Sequence, residues 1–139
     1  MALTVAEERS EDTVRIAGAG PAGLVAAITL ARRRVIVHEV QREVGYRFQS
    51  DLQGLENWSS GEDVLDLLRG LGIDTDFDAL PCDRGWGFDA WGERYDMIGK
   101  KTLFYMVERG PGPRTLDTAL LDQARTLGVE LYEKGDRKR

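Results

Sequence analysis

Between residues 14 and 39 the chain alternates apolar runs with short breaks, in an order that predicts strand, turn, helix and strand. Val14 to Ala17 is an apolar run of strand length, and it stops at a glycine-rich break holding Gly18, Gly20 and Gly23. From Pro21 to Arg33 the sequence is apolar nearly all round, as in a helix buried between a sheet and a second layer. No glycine caps this segment, so the connection to the next strand must be short. That places Arg32, Arg33 and Arg34 near the negative end of the helix dipole. Val35, Ile36 and Val37 form a continuous β-branched run, which predicts a parallel strand covered on both faces.

The pattern beyond residue 39 is less regular. Residues 40–60 are polar, with Gly45 and Gly54 as expected turn points. A helix is predicted over Gly61–Leu71, with Ser59 or Ser60 as its cap, Glu62 and Asp63 in its first turn and Gly72 as its stop. Its apolar face holds Val64, Leu65, Leu67, Leu68 and Leu71. Residues 73–110 alternate with a period of two and predict an inserted antiparallel β-hairpin region. Trp86, Phe88 and Ala90 precede a turn at Gly92-Glu93, Tyr95 and Met97 follow it, and Thr102–Val107 is a further strand. The large aromatic residues are expected to pack in a half-buried sheet rather than line a pocket. Arg109-Gly110-Pro111-Gly112-Pro113 reads as a rigid loop. Thr115 should cap a helix ending at Leu127, with Leu116, Ala119, Leu120, Ala124 and Leu127 on one face and Gly128 past its end. Val129–Tyr132 completes the pattern as a third parallel strand. The predicted organisation is a loose, acid-rich leader over residues 1–12 and one domain over residues 13–139.

Composition narrows the function classes. At 139 residues, 42% hydrophobic and 31% charged, the chain suits one globular domain able to bury a core. A net charge of −5 with no basic field argues against nucleic acid as a partner. The single cysteine, Cys82, excludes an internal disulfide and a Cys-rich metal site. The single histidine, His38, has no second imidazole or thiol near it in sequence and reads as a packing residue. No apolar run approaches the about 20 residues of a membrane span, and residues 1–10 lack a signal-peptide pattern. A cytoplasmic location is the expectation. The four positive charges among the last six residues read as a solvated tail.

The break at Gly18 carries the chemistry. Gly18 permits a sharp exit from the first strand. Gly20, lacking a Cβ, lets a diphosphate approach the backbone and the first helical amides, where the dipole supplies roughly half a positive charge. Pro21 suits the first helical position, and Gly23 lets the helix pack closely on the strand. Glu39, 21 positions beyond Gly18, is spaced to accept hydrogen bonds from a ribose diol. Such a site serves a nucleotide with a free 2′-hydroxyl, such as NAD(H) or ADP-ribose in a non-catalytic module, but its carboxylate would repel the 2′-phosphate of NADP. A vestigial interaction protein with an empty site is another reading. Asp51, Glu56 and Asp89 have no visible partner in sequence and read as solvated surface, so no catalytic acid or base stands out.

Gly18-Ala-Gly-Pro-Ala-Gly-Leu24 with Glu39 resembles the FAD-binding N-terminus of flavoprotein oxidoreductases of the para-hydroxybenzoate hydroxylase type. Glu43-Val-Gly-Tyr-Arg-Phe48, Asp51-Leu-Gln-Gly-Leu-Glu-Asn-Trp58 and the stretch Arg109–Gly128 are similar to the geranylgeranyl reductase family of flavoproteins. The resemblance implies a Rossmann-like βαβ FAD-binding fold and redox chemistry, in named members the hydrogenation of isoprenoid double bonds. It also implies that Gly18, Gly20, Pro21, Ala22 and Gly23 bind the pyrophosphate, Glu39 the adenosine ribose, and that Arg47 and Arg109 lie near the cofactor. Many geranylgeranyl reductases carry a Cys-Gly pair where this chain reads Phe48-Gln49-Ser50. Relatives also continue well past the third strand, so this chain is expected to be an N-terminal part that meets mainly the ADP end of FAD. It is therefore expected to be weak or inactive as an enzyme by itself, with sheet edges open to self-association.

Overall fold

The structure, a computed structural model, describes residues 10–134; most of the expected leader and the end of the basic tail lie outside them. Eight strands and three helices run in the order β1 (Ser10–Ala17), α1 (Pro21–Thr29), β2 (Arg33–His38), β3 (Leu52–Glu56), α2 (Val64–Gly70), β4 (Ala79–Cys82), β5 (Arg84–Phe88), β6 (Arg94–Ile98), β7 (Phe104–Glu108), α3 (Leu116–Thr126) and β8 (Glu130–Tyr132). They build a mixed α/β fold of Rossmann type. A small parallel sheet of order β1-β2-β8 carries the site, and an antiparallel sheet β3-β7-β4 and the hairpin β5-β6 are inserted between β2 and α3.

The parallel sheet follows the hydrophobic pattern closely. Val14 pairs with Val35 and Ile16 with Val37 across β1 and β2, while Val37 pairs with Leu131 of β8. Val35, Ile36 and Val37 are all buried, although Ile36 sits between Arg15 and Glu130 in register. Long charged side chains, whose stems are apolar, flank Ile36 on that face. α1 packs against α3, and Leu24, Ala27 and Ile28 of α1 share one core with Leu116, Leu120 and Ala124 of α3. Leu24 and Leu120 are each at most 1% exposed, and burial of such a side chain stabilises by about 1.5–3 kcal/mol.

Several boundaries differ from expectation for identifiable reasons. β1 begins at Ser10, within the expected leader, and its register with β2 shifts between Ser10 and Thr13. α1 ends at Thr29, not Arg33. Leu30 and Ala31 bond back to Ala26 and Ile28, and Arg33 and Arg34 are already in β2, so they do not lie in the last helical turn. They serve the sheet instead, Arg33 meeting Asp12 at 3.6 Å and Arg34 meeting Glu130 at 2.8 Å. Gly54 is no turn point: it lies inside β3 opposite Met106, where a Cβ would come within 3.3 Å of the Phe104 ring. α2 starts at Val64 and is capped by Asp63, which accepts from the Leu65 amide at 3.0 Å. Ser59 is drawn instead to the carboxylate of Glu56. Thr115 caps α3 as expected, accepting from the Thr118 amide, and Gly128 follows its end with φ 77°.

The hairpin has the expected period but the opposite facing. Gly85 and Gly87 are turned toward Met97 and Phe104, while Trp86 and Phe88 stand 67% and 65% exposed. Their expected packing role is therefore not realised among the described residues. Pro81 in β4 is tolerated because that strand lies at a sheet edge. Among the described residues no helix is long and apolar enough to cross a membrane.

Candidate nucleotide-binding site

The three glycines of the first turn are glycine for three different reasons. Gly18 adopts φ 94°, a left-handed conformation that turns the chain out of β1, and its amide donates to the His38 carbonyl at 2.8 Å. Gly23 lies so close under the turn that a Cβ would stand 2.1 Å from the Gly18 carbonyl oxygen. Gly20 has neither constraint. Its φ of −72° and ψ of 174° suit any residue, and a Cβ there would meet nothing within 4 Å. Neither the backbone nor the packing of the protein explains the missing side chain, which leaves open space in front of α1.

That helix presents an open positive end. Gly20 is its N-cap with no side-chain cap, Pro21 occupies the first helical position, and no acid lies in the first turn. Leu24 is the first residue to bond back into the turn, through the Gly20 carbonyl at 2.9 Å. An anion placed there meets amides that lack a side-chain partner, together with the dipole of the helix.

Glu39 closes the other side of the turn. Its amide donates to Tyr132 of β8 at 2.8 Å, which fixes the residue at the end of the sheet. Its Oε2 accepts from the Ala19 amide and its Oε1 from the Gln41 amide, both at 2.8 Å. A carboxylate has about four lone-pair sites, so two remain for the hydroxyls of a diol. His38 beside it is exposed and stacks on Tyr132 with ring centroids 5.6 Å apart, in keeping with a packing role.

A cleft of about 320 Å³ gathers these groups with a second set. Ala19, Gly20, Pro21 and Glu39 line it together with Gly45, Tyr46, Arg47 and Phe48 of the loop after β2, and with Arg109 and Asp117. Of the residues expected to bind a cofactor, Gly20, Pro21, Glu39, Arg47 and Arg109 thus meet in one cleft. Gly18, Ala22 and Gly23 do not line it; Gly18 and Gly23 shape the turn beneath it. Asp51, Glu56 and Asp89 lie outside. Local donors, first the Ser59 hydroxyl for Glu56 and the Glu93 amide for Asp89, hold these two carboxyls below their ordinary values.

The loop wall is locked onto the end of β7. Gly45, with φ 75°, approaches so closely that a Cβ would lie 2.8 Å from the Gly110 carbonyl carbon, and a Cβ on Gly110 would lie 2.8 Å from the Phe48 carbonyl oxygen. Arg109 is 7% exposed and makes a two-pronged ion pair with Asp117, Nε to Oδ2 at 2.7 Å and Nη2 to Oδ1 at 2.9 Å. Its guanidinium carbon also lies 4.2 Å from the centroid of the Phe48 ring. Arg47, by contrast, is exposed.

Asp117 was not singled out from the sequence, although a signal was present. It falls three residues before Leu120 and seven before Ala124, on the apolar face of α3, where an acid demands a partner. Phe48 and Gln53, which complete the surroundings of Arg109, gave no comparable signal.

No protein-family model and no curated protein matches the chain. Solved structures do. A 2-methyl-3-hydroxypyridine-5-carboxylic acid oxygenase is similar over 89% of this chain and 32% of its own, at 24% identity and a TM-score of 0.64. A geranylgeranyl bacteriochlorophyll reductase-like protein from Thermoplasma acidophilum matches over 88% of this chain and 30% of its own, at 20% identity and 0.62. CmlS, a flavin-dependent halogenase, matches over 89% and 22%, at 21% identity and 0.56. At these identities the likeness is one of fold, and the chain spans about a third of the length of the first two.

Proposed function

We propose that this chain binds FAD by its ADP end, as the nucleotide-binding part of a flavin-dependent oxidoreductase of the geranylgeranyl reductase type. The observation that carries the reading is Gly20. It is a glycine required by neither conformation nor packing, and it stands before an uncapped helix N-terminus in the same cleft as Glu39. Without a Cβ at Gly20 a diphosphate can come close to the backbone at the helix N-terminus. The likeness to a flavin-dependent halogenase supports flavin over other dinucleotides, and that to a geranylgeranyl bacteriochlorophyll reductase-like protein supports the reductase type.

In this reading Gly18 and Gly23 shape the turn, the amides of Gly20 and Ala22 receive the diphosphate, and Pro21, which has no N–H to donate, lines the cleft beside it. Glu39 holds the adenosine ribose, and Arg47 and Arg109 lie along the remainder of the cofactor. The flavin, when bound, supplies the redox chemistry. The chain's own part is to bind and orient.

Titration with FAD, followed by flavin fluorescence and by thermal shift, tests the proposal. Saturable binding with competition by ADP-ribose is the expected result. A thermal shift with NAD(H) that FAD does not produce would replace it with a nicotinamide-nucleotide module. No shift with any nucleotide would overturn it.

A further inference from the structure

Asp117 is 1% exposed in the first turn of α3, and both of its oxygens are engaged. Oδ2 accepts from Arg109 Nε at 2.7 Å and from the Gly110 amide at 2.9 Å, while Oδ1 accepts from Arg109 Nη2 at 2.9 Å. Arg109 Nη1 donates to Gln53 Oε1 on β3. A guanidinium has five N–H donors; one on each Nη is still free after these bonds. Both Arg109 and Asp117 line the cleft. A buried ion pair of this kind is weak as a stability device, because desolvating two charges offsets much of their attraction. Its place in the wall of a ligand cleft therefore calls for another role.

We infer that Asp117 is a positioning residue for the cofactor: it fixes the Arg109 guanidinium in one plane at the end of β7, so that its free N–H groups meet oxygens on the flavin side of the diphosphate. This rests on the FAD reading. Glu39 and the helix N-terminus account for the adenosine ribose and the diphosphate. That leaves Arg109 for the hydroxyl-bearing chain that joins the second phosphate to the ring. Asp117 also holds the Gly110 amide, and Gly110 is the residue against which Gly45 and the loop wall are seated. One carboxylate thus sets both the donor and the wall beside it.

The test measures affinities for FAD and for ADP, with thermal unfolding, in the full chain and in D117N, R109M and the double variant R109M/D117N. In D117N and R109M the FAD affinity should fall by about tenfold or more, whereas ADP affinity should hold within about threefold. The double variant leaves no buried charge unpaired, and its Asn still offers an oxygen to Gly110. It should regain thermal stability without regaining FAD affinity, and it keeps the comparison open where a single variant fails to fold. Recovery of FAD affinity together with stability would show the pair to be structural and overturn the inference. So would a parallel fall for ADP and FAD, or a native chain that binds both equally while the nucleotide reading stands. A native chain that binds neither removes both.

Discussion

Glu39 reaches back from the end of β2 to the turn after β1, its Oε2 lying 2.8 Å from the Ala19 amide. With the bond from the Gly18 amide to the His38 carbonyl it ties the turn to the end of β2, and Oε1 holds the Gln41 amide at the same distance. Replacement by Gln keeps the shape but puts an NH₂ against one of these donors. E39Q should weaken FAD binding by about tenfold, since a hydrogen bond to a charged group is worth about 1.5–3 kcal/mol. The titration used for the native chain reads this directly. Affinity unchanged in E39Q would remove Glu39 from the ribose.

Two glycines of the turn should respond in opposite ways to the same substitution. In G23A the new Cβ would meet the Gly18 carbonyl oxygen at 2.1 Å, a backbone atom that cannot swing aside. A loss of stability of about 1–3 kcal/mol or more is expected in urea unfolding. In G20A the backbone is already in a region open to alanine and the Cβ meets nothing. Stability should be unchanged or raised by about 0.4–1 kcal/mol, while FAD affinity falls. A G20A variant that binds FAD as the native chain does would leave that open space without a ligand.

The βαβ unit was legible because its signals are local. Glycines at fixed offsets, a β-branched run in β2 and an acid at the strand end each act within a few residues. The boundary of α1 was not, because Arg33 and Arg34 are drawn into backbone register with Ser10 and Thr13 of β1, and those partners are remote in sequence. β3 escaped notice for a similar reason. Leu52–Glu56 is mostly exposed and holds a mid-strand glycine, so nothing in its own pattern marks it; pairing with β7 makes it a strand. The site divides along the same line. Glu39 and the glycine turn could be read from spacing, while the Arg109–Asp117 pair is assembled from β7 and α3 and stacked on a phenylalanine that is far away in sequence.

The contact of Gly45 with Gly110 gives the cleft a wall that a single methyl group can disturb. G45A forces a left-handed conformation, φ 75°, on a residue with a Cβ, at about 1–2 kcal/mol, and adds a clash with the Gly110 carbonyl carbon at 2.8 Å. Overpacking of that kind typically costs about 1–3 kcal/mol more. The loop carrying Tyr46 and Arg47 should shift away from β7, lowering the thermal midpoint and the FAD affinity together. Limited proteolysis should then cut within residues 43–50 faster than in the native chain. An unchanged cleavage pattern would show that the loop is held by other contacts.

Asp63 makes the stability of the inserted segment depend on pH at both ends. Desolvation pushes its carboxyl up, but hydrogen bonds from the Tyr105 hydroxyl, the Leu65 amide and Asn57 outweigh it and hold the group below its ordinary 3.8. The Tyr105 phenol, donating to Asp63 at 2.7 Å, is raised above its ordinary 10.0, first by that bond and then by desolvation. The signs follow from linkage. The depressed carboxyl contributes stability that is present above its unfolded value and lost as pH falls through the lower folded one. The raised phenol contributes stability that is present below its unfolded value and lost as pH rises through the higher folded one. The pair should therefore stabilise the fold on a plateau between about pH 4 and 10. Y105F should flatten the alkaline arm, and D63N should flatten both. Asn caps a helix about as well as Asp, so D63N separates charge from capping, whereas D63A should lose a further ~1 kcal/mol. Urea midpoints measured across pH for the native chain and the three variants decide this, and an alkaline arm that persists in Y105F would assign it to another group.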